Sequence, residues 1–280
     1  MTSNSTQEEM EALADLLPDS ATNLGRLSVL LSDTNNPKIA AFGKYNHGKS
    51  TLLNALVGQE RFAASDKRET KTISEFEHDG VVWIDTPGLD ADVHGEDDRK
   101  AMIAALESAD ILCLIHNVKA GELDKSEMAL YRTLMRQDLN YRSKLILVLS
   151  QIDQVNLEDL NQVKKEIRGQ LPELRISSVS AVRYARGVRE DKPKFVEISG
   201  IPEFLIYLQE LKKEVGDLRR KEGRRLVRKA RVELTKLIED RSMALATAKA
   251  DMKAFEKEFG LEVKNAREKV RMRAESLESR

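Results

Sequence analysis

Between Lys38 and about Leu211, short apolar runs alternate with amphipathic stretches. The runs are Ile39–Phe42, Val81–Ile84, Ile111–Ile115, Leu145–Leu149 and Ile176–Val179. Read as strands that are apolar on both faces, they belong in the middle of a layered fold. Lys100–Ser108, Ser126–Arg136 and Leu157–Gln170 lie between them, with apolar residues at helical spacing. Strands alternating with helices predict an α/β fold with a mostly parallel central sheet covered on both sides. Crossovers should be right-handed, and a ligand should sit at the carboxyl ends of the strands.

The flanks read differently. Met1 to Gln7 is rich in Ser, Thr and Asn and is expected to be disordered. Glu8–Leu17 predicts a helix with Met10, Leu13, Leu16 and Leu17 on one face, stopped by Pro18. Asp19 or Ser20 can cap a second helix carrying Leu24, Leu27, Leu30 and Leu31, and Asn35-Asn36-Pro37 breaks the chain again. After Pro202 only Gly216, Gly223 and Gly260 weaken a helical pattern that runs to the end. Apolar or small residues recur at Leu234, Ile238, Leu245, Ala248, Met252, Phe255, Phe259, Val263, Ala266, Val270 and Leu277, with Arg241 and Arg273 interrupting. One helix from Leu226 onward would be roughly 80 Å long. Either it forms a coiled coil, or it folds into a hairpin near Gly260. The stripe then packs on the chain's own N-terminal helices or on a second copy. These patterns divide the chain into a helical extension (1–36), a central α/β domain (37–211) and a helical or coiled-coil segment (212–280).

Composition changes this picture little. Of 280 residues, 33% are charged and 5% aromatic, which suits a globular domain joined to long surface helices. The net charge of −1 marks no obvious polyanion binder. Cys113, the one cysteine, lies inside an apolar run and reads as a buried structural thiol. No disulfide framework or zinc pattern is present, and His47, His78, His94 and His116 have no metal-ligand spacing. His47 is expected to face solvent. A polar, acidic N-terminus is not a signal peptide, and no apolar stretch is long enough to span a membrane. The expectation is a cytoplasmic protein, either free or peripheral to a membrane.

Chemistry concentrates in Gly43-Lys44-Tyr45-Asn46-His47-Gly48-Lys49-Ser50, which fits the phosphate-loop pattern G-x-x-x-x-G-K-[ST]. A strand precedes it, and a helix over Thr51–Val57, ending at Gly58, follows it. In that setting the glycines let backbone N–H groups close around phosphate oxygens, and the helix N-terminus adds positive charge. Lys49 reaches the β/γ phosphates, Ser50 ligates Mg²⁺, and the whole segment through Thr51 wraps the nucleotide. Downstream, Asp85-Thr86-Pro87-Gly88 ends a strand. Asp85 can hold Mg²⁺ through water, and the Gly88 N–H can contact the γ-phosphate. Between the two motifs, the polar segment Asp66–Ile73 offers a switch threonine for Mg²⁺, Thr70 first and Thr72 second. Asp153, in Ser150-Gln151-Ile152-Asp153, can accept from both guanine N1–H and N2–H₂, a donor pair that adenine lacks. Ala181 can offer its N–H to guanine O6, with Ser180 bracing the loop.

In this order, GKYNHGKS, the Thr70/Thr72 segment, DTPG, SQID and SSVSA resemble the translation-factor-related class of P-loop GTPases over roughly Lys38 to Gly200. The run from Asn46 to Leu56 is similar both to the Era-like branch and to bacterial dynamin-like proteins; helices on both sides of the domain look more dynamin-like. The resemblance implies Mg²⁺-dependent hydrolysis of GTP to GDP and phosphate, used as a conformational switch. Lys49, Asn46 and Thr70 would carry the catalytic roles. Two departures qualify this. Ser150 and Gln151 stand where the family has Asn or Thr followed by Lys, which implies weaker nucleotide affinity. Leu89 stands where some members carry a water-orienting Gln, so hydrolysis would need K⁺ at Asn46 or a partner subunit. A nucleotide-gated interaction module that does not hydrolyse, or an ATPase of another P-loop class, are the rival readings. Self-association across the nucleotide face or through the C-terminal helices would fit. The basic residues Arg219, Arg220, Lys221, Arg224, Arg225, Arg228, Lys229 and Arg231 could meet a membrane surface, ribosomal RNA or an acidic partner. They could equally form a solvated face, since Glu214, Asp217, Glu222 and Glu233 interleave with them.

Overall fold

The computed structural model of the chain describes residues 2–31, 36–62, 73–88, 105–106, 108–137 and 144–278. Its centre is a six-stranded sheet of order β2-β3-β1-β4-β5-β6. The strands are β1 (Lys38–Phe42), β2 (Ser74–His78), β3 (Val81–Asp85), β4 (Ile111–Asn117), β5 (Leu145–Ser150) and β6 (Arg175–Ser178). All pairings are parallel except that of β2 with β3. Each apolar run of the central region thus became a strand. The edge strand β2, sequence SEFEH, was not among those runs. It alternates half-buried and exposed positions because it has one neighbour and one covered face.

Successive residues of the central strands feed opposite faces, and both faces are apolar. Ile39, Ala41, Trp83, Ile111, Cys113, Ile115, Ile146 and Val148 lie on one side with Leu52, Leu53 and Val57 of helix α3 (Lys49–Val57). Ala40, Phe42, Ile84, Leu112, Leu114, Leu147 and Leu149 lie on the other. Helix α4 (Lys125–Gln137) covers that face with Leu134, and α5 (Leu157–Gln170) with Leu160 and Ile167. Cys113 is buried as expected, and burial pushes its thiol up to about 12. Two short helices, α6 (Ala181–Arg189) and α7 (Pro193–Glu197), lead into α8 (Ile201–Glu278).

Helix α8 is a single helix of 78 residues, about 117 Å long at 1.5 Å per residue. It passes through Gly260 without a turn, so the hairpin is not formed. An isolated glycine costs a helix only about 1 kcal/mol, too little to break it without a proline or a groove to receive the returning chain. The expected boundary at 211/212 also falls inside α8, because Ile201, Phe204, Leu208, Leu211 and Val215 all pack into the sheet core.

The N-terminal helices are α1 (Thr2–Leu16) and α2 (Ala21–Leu31). Helix α1 includes Thr2 to Gln7, which composition marked as disordered; extending an existing helix avoids the cost of nucleating one. These helices meet α8 in its first half: Gly223 faces Leu27 and Leu30, and the Ser20 hydroxyl donates to Glu233. They do not cover the distal stripe. Ile238, Leu245, Met252, Phe255, Phe259 and Val270 are each more than half exposed, and every residue from 238 to 262 is exposed. Among the described residues, the reading in which the stripe packs on the N-terminal helices is therefore corrected.

A buried ion cluster joins the extension to the domain. Arg26 of α2 reaches Glu222 of α8 at 3.0 Å, Asp110 at 3.1 Å and the Ser108 carbonyl at 2.6 Å. Lys144 donates to Glu222 at 2.6 Å, and Arg219 to Asp110 at 2.6 Å. Asp110 Oδ2 also accepts from the Lys38 N–H at the start of β1, at 2.9 Å. Arg219 and Glu222 are thus engaged inside the fold, and Arg220 pairs with Asp217 along the helix. The basic cluster is accordingly smaller as a surface feature than its sequence implies. No helix among the described residues is long and apolar enough to cross a membrane.

Candidate nucleotide site

The site forms where β1, β3, β4 and β5 end. Gly43 follows β1 with φ of +146°, and a Cβ there would lie 2.2 Å from the Ile115 carbonyl oxygen of β4. Only glycine fits that approach. The loop then turns through Asn46, at φ of +59°, and Gly48, at φ of +84°, into α3, whose first residue is Lys49. Asn46 thus has a backbone reason to be asparagine, since its side chain tolerates the left-handed conformation. Lys49 is buried and folds back over the loop, donating to the carbonyls of Gly43 at 3.1 Å and Lys44 at 2.9 Å. Tyr45 and Thr51 flank this turn, both partly buried.

In the first turn of α3, the Ser50 hydroxyl donates to Asp85 Oδ2 at 2.7 Å. The other oxygen, Asp85 Oδ1, is buried with no hydrogen-bond partner among the described residues. Burial pushes the Asp85 carboxyl above its ordinary value, while the Ser50 hydroxyl and the Lys49 charge pull it back. A desolvated carboxylate with an unspent oxygen beside a serine hydroxyl is an oxygen-donor set of the kind Mg²⁺ takes, so the residues fit that ion. Thr86 anchors the following turn, donating from Oγ1 to the Ala41 carbonyl at 3.1 Å. A Cβ on Gly88 would lie 2.8 Å from the Tyr45 nitrogen, so the DTPG turn and the phosphate loop are in backbone contact.

The departures at Ser150 and Gln151 acquire a physical account. Ser150 donates to the His47 carbonyl at 2.6 Å, and Gln151, at φ of +59°, donates from Nε2 to the Asn46 carbonyl at 2.9 Å. Gln151 Oε1 accepts from Asn117 at 3.2 Å and Gln154 at 2.9 Å. The phosphate loop is therefore braced from β5 by neutral hydrogen bonds. Ser180 donates to Asp153 Oδ1 at 2.5 Å and caps α6 by accepting from the Arg183 N–H at 3.1 Å. Ala181 is the first residue of that helix. Asp153, Ser180 and Ala181 thus meet at one edge of the site. Thr70, Thr72 and Leu89 lie outside the described residues.

His47 departs from expectation. It is 7% exposed, with its ring edge-on to His116 at 5.2 Å between centroids. Its Nδ1 lies 3.3 Å from the Ile115 carbonyl and 3.5 Å from Glu127 Oε1. Burial holds the imidazole down to about 4, against the pull of Glu127. Behind it, His116 Nδ1 lies 2.8 Å from Glu127 Oε1. Lys44 pairs with Asp124, whose Oδ1 caps α4 by accepting from Ser126 and Glu127. Burial would raise the Asp124 carboxyl, but Lys44, the Glu127 N–H and the Ser126 hydroxyl hold it well below the carboxylate range. Sequence spacing missed this group because β4 and α4 bring it under the loop only in the fold.

This arrangement defines a P-loop GTPase domain. Residues 38–151 match the family model described as 50S ribosome-binding GTPase, and the chain carries a domain of that class, related to Era and Der. An uncharacterized protein of Acinetobacter baylyi is 37% identical over 272 residues, covering 97% of this chain and 65% of that one. GTPase Era of Thermosipho melanesiensis is 30% identical over 156 residues, 52% of this chain and 50% of Era. GTPase Der of Nautilia profundicola is 32% identical over 169 residues, 56% of this chain and 35% of Der. The chain therefore spans about two thirds of the first relative and half or less of the other two. A bacterial dynamin, solved as part of an oligomerised pair described as sensing and tethering membranes, shares the fold at a TM-score of 0.53 and 19% identity. That match covers 91% of this chain and 49% of the dynamin.

Proposed function

We propose that this chain binds GTP with Mg²⁺ and hydrolyses it to GDP and phosphate as a slow conformational switch in the cytoplasm. The observation that carries the reading is Ser50 on Asp85, with the second carboxylate oxygen unspent, next to Lys49 at the mouth of the phosphate loop. On nucleotide entry Lys49 exchanges two loop carbonyls for β/γ-phosphate oxygens. Backbone N–H groups of the loop and of α3 hold the phosphates. Gly88, against Tyr45, would report the γ-phosphate to the segment after it. Asp153, steadied by Ser180, selects guanine. Ser50 and Thr70 would hold Mg²⁺ directly and Asp85 through water, and the ion would supply neutralisation of charge on the β/γ oxygens. With Leu89 in place of a water-orienting residue, turnover rests on outside help: K⁺ at Asn46, or a second copy across the nucleotide face.

Phosphate release with GTP and with ATP, against a Lys49→Ala control, tests the reading. GTP-specific release lost in Lys49→Ala supports it, and equal use of both nucleotides overturns the guanine assignment. Rates in K⁺ and in Na⁺ over a protein dilution series test the outside help; dependence on neither overturns it. A second reading, a nucleotide-gated module that does not hydrolyse, is favoured by the neutral Gln151 brace. Tight GTP binding without phosphate release would select it. As partners we propose a second copy along the α8 stripe, and a ribosomal RNA or anionic membrane surface for the remaining basic residues; sedimentation with ribosomes and with liposomes separates these last two.

A further inference from the structure

We infer that His47, His116 and Glu127 form a site for a divalent transition metal of the zinc class, seated behind the phosphate loop and separate from the Ser50–Asp85 oxygen site. The three ligating atoms lie within 4.8 Å of one another, and all three residues are buried. They come from three elements: the phosphate loop, β4 and the first turn of α4.

Proton counting points to a cation between them. His116 Nε2 lies 3.0 Å from the Gly121 carbonyl, which only accepts, so that nitrogen carries the ring N–H. A neutral imidazole has one N–H, which leaves Nδ1 as a lone pair. Nδ1 faces Glu127 Oε1 at 2.8 Å, another acceptor. Two lone pairs at that separation repel unless a cation bridges them, a proton or a metal ion. His47 Nδ1 lies 3.5 Å from the same Glu127 oxygen and 3.3 Å from the Ile115 carbonyl, and it becomes the third ligand when its N–H moves to Nε2 and that carbonyl contact is given up. The 2.8 and 3.5 Å separations bracket the ligand–ligand edge of about 3.3 Å that tetrahedral bonds of about 2.0–2.1 Å produce.

The supporting groups also match. Metal-bound histidines donate their second N–H to a carbonyl or carboxylate, as His116 does to Gly121. The second Glu127 oxygen accepts from the Asp124 N–H at 3.1 Å, fixing the carboxylate. Two imidazoles and one carboxylate favour zinc, cobalt or nickel over Mg²⁺, and a fourth position remains for water. Since His47 belongs to the phosphate loop, the ion would clamp that loop to α4.

The test uses the full chain, nucleotide-free and stripped with chelator, titrated with Co²⁺ in excess Mg²⁺ so that the oxygen site is filled. One equivalent of Co²⁺ is expected, with visible d–d absorption that Zn²⁺ displaces. Outer-shell changes cost metal sites roughly 10–100-fold, so loss of a ligand in Glu127→Gln should weaken binding at least about 100-fold. His47→Gln is the second variant, for use if Glu127→Gln does not unfold cooperatively, and should weaken binding equally. Absence of Co²⁺ binding, or equal binding by wild type and folded variants, overturns the site and leaves a proton-bridged His116–Glu127 pair.

Discussion

The Ser50 hydroxyl donates to Asp85 Oδ2 at 2.7 Å, tying the first turn of α3 to the last residue of β3. The helix that receives the nucleotide and the strand that leads to the DTPG turn therefore share one hydrogen bond. Ser50→Ala removes that bond and one oxygen of the proposed Mg²⁺ set. Mg²⁺ should then strengthen GTP binding at least about 10-fold less than in wild type, a loss of about 1.4 kcal/mol. Calorimetric titration with and without Mg²⁺ measures it; an undiminished Mg²⁺ effect would remove Ser50 from the ion's shell.

Gly43→Ala should disable the loop. Its Cβ would meet the Ile115 carbonyl at 2.2 Å with φ of +146°, so the backbone must move. The expected destabilisation is at least about 2 kcal/mol, with nucleotide binding lost. Urea unfolding and nucleotide titration read the two effects separately.

Asp153→Asn replaces an acceptor pair for the guanine edge with an acceptor and a donor. The loss of a charge-assisted hydrogen bond, about 1.5–3 kcal/mol, should lower GTP affinity roughly 10–100-fold and leave ATP affinity unchanged. Competition between the two nucleotides checks it.

Arg26→Met leaves Asp110 and Glu222 short of one cation inside the fold. Breaking a buried pair from one side costs about 3–5 kcal/mol, which urea unfolding would register. The cluster also sets an acid limit. Burial would raise both carboxyls. For Asp110, hydrogen bonds from Arg219 and the Lys38 N–H and the charge of Arg26 hold it low; for Glu222, Arg26 and Lys144 do so. A carboxyl held low in the fold contributes stability that is fully present above its ordinary value of about 4 and is lost as pH falls through the folded value. The urea midpoint should therefore drop below about pH 4, and less steeply in Asp110→Asn.

A chain ending at Lys236 should keep the thermal midpoint and nucleotide affinity of the full chain, because residues 238–262 are all exposed. If the stripe holds a second copy, concentration-dependent self-association should disappear with it. Analytical ultracentrifugation of both chains decides this.

Much of the site was legible in the chain. A phosphate loop, DTPG and SQID are local patterns, and each follows an apolar run, so order along the chain places them at neighbouring strand ends. The edge strand β2 was not, because only one of its faces is covered and its residues therefore form no apolar run. Nor was the length of α8: the sequence offered Gly260 as a turn, and whether a glycine turns depends on what waits to receive the chain.

By itself, the sequence determined the class of the domain, its strand-helix alternation and the motifs from which the nucleotide site is proposed, since these rest on periodicity and spacing over a few residues. Tertiary structure alone decided the rest. It put His47 against His116 and Glu127, spent Arg26, Arg219 and Glu222 in one buried cluster, and gave Gln151 the Asn46 carbonyl to brace. Those pairings join residues far apart in the chain, and burial, which sets their electrostatics, exists only once the sheet and helices have closed over them.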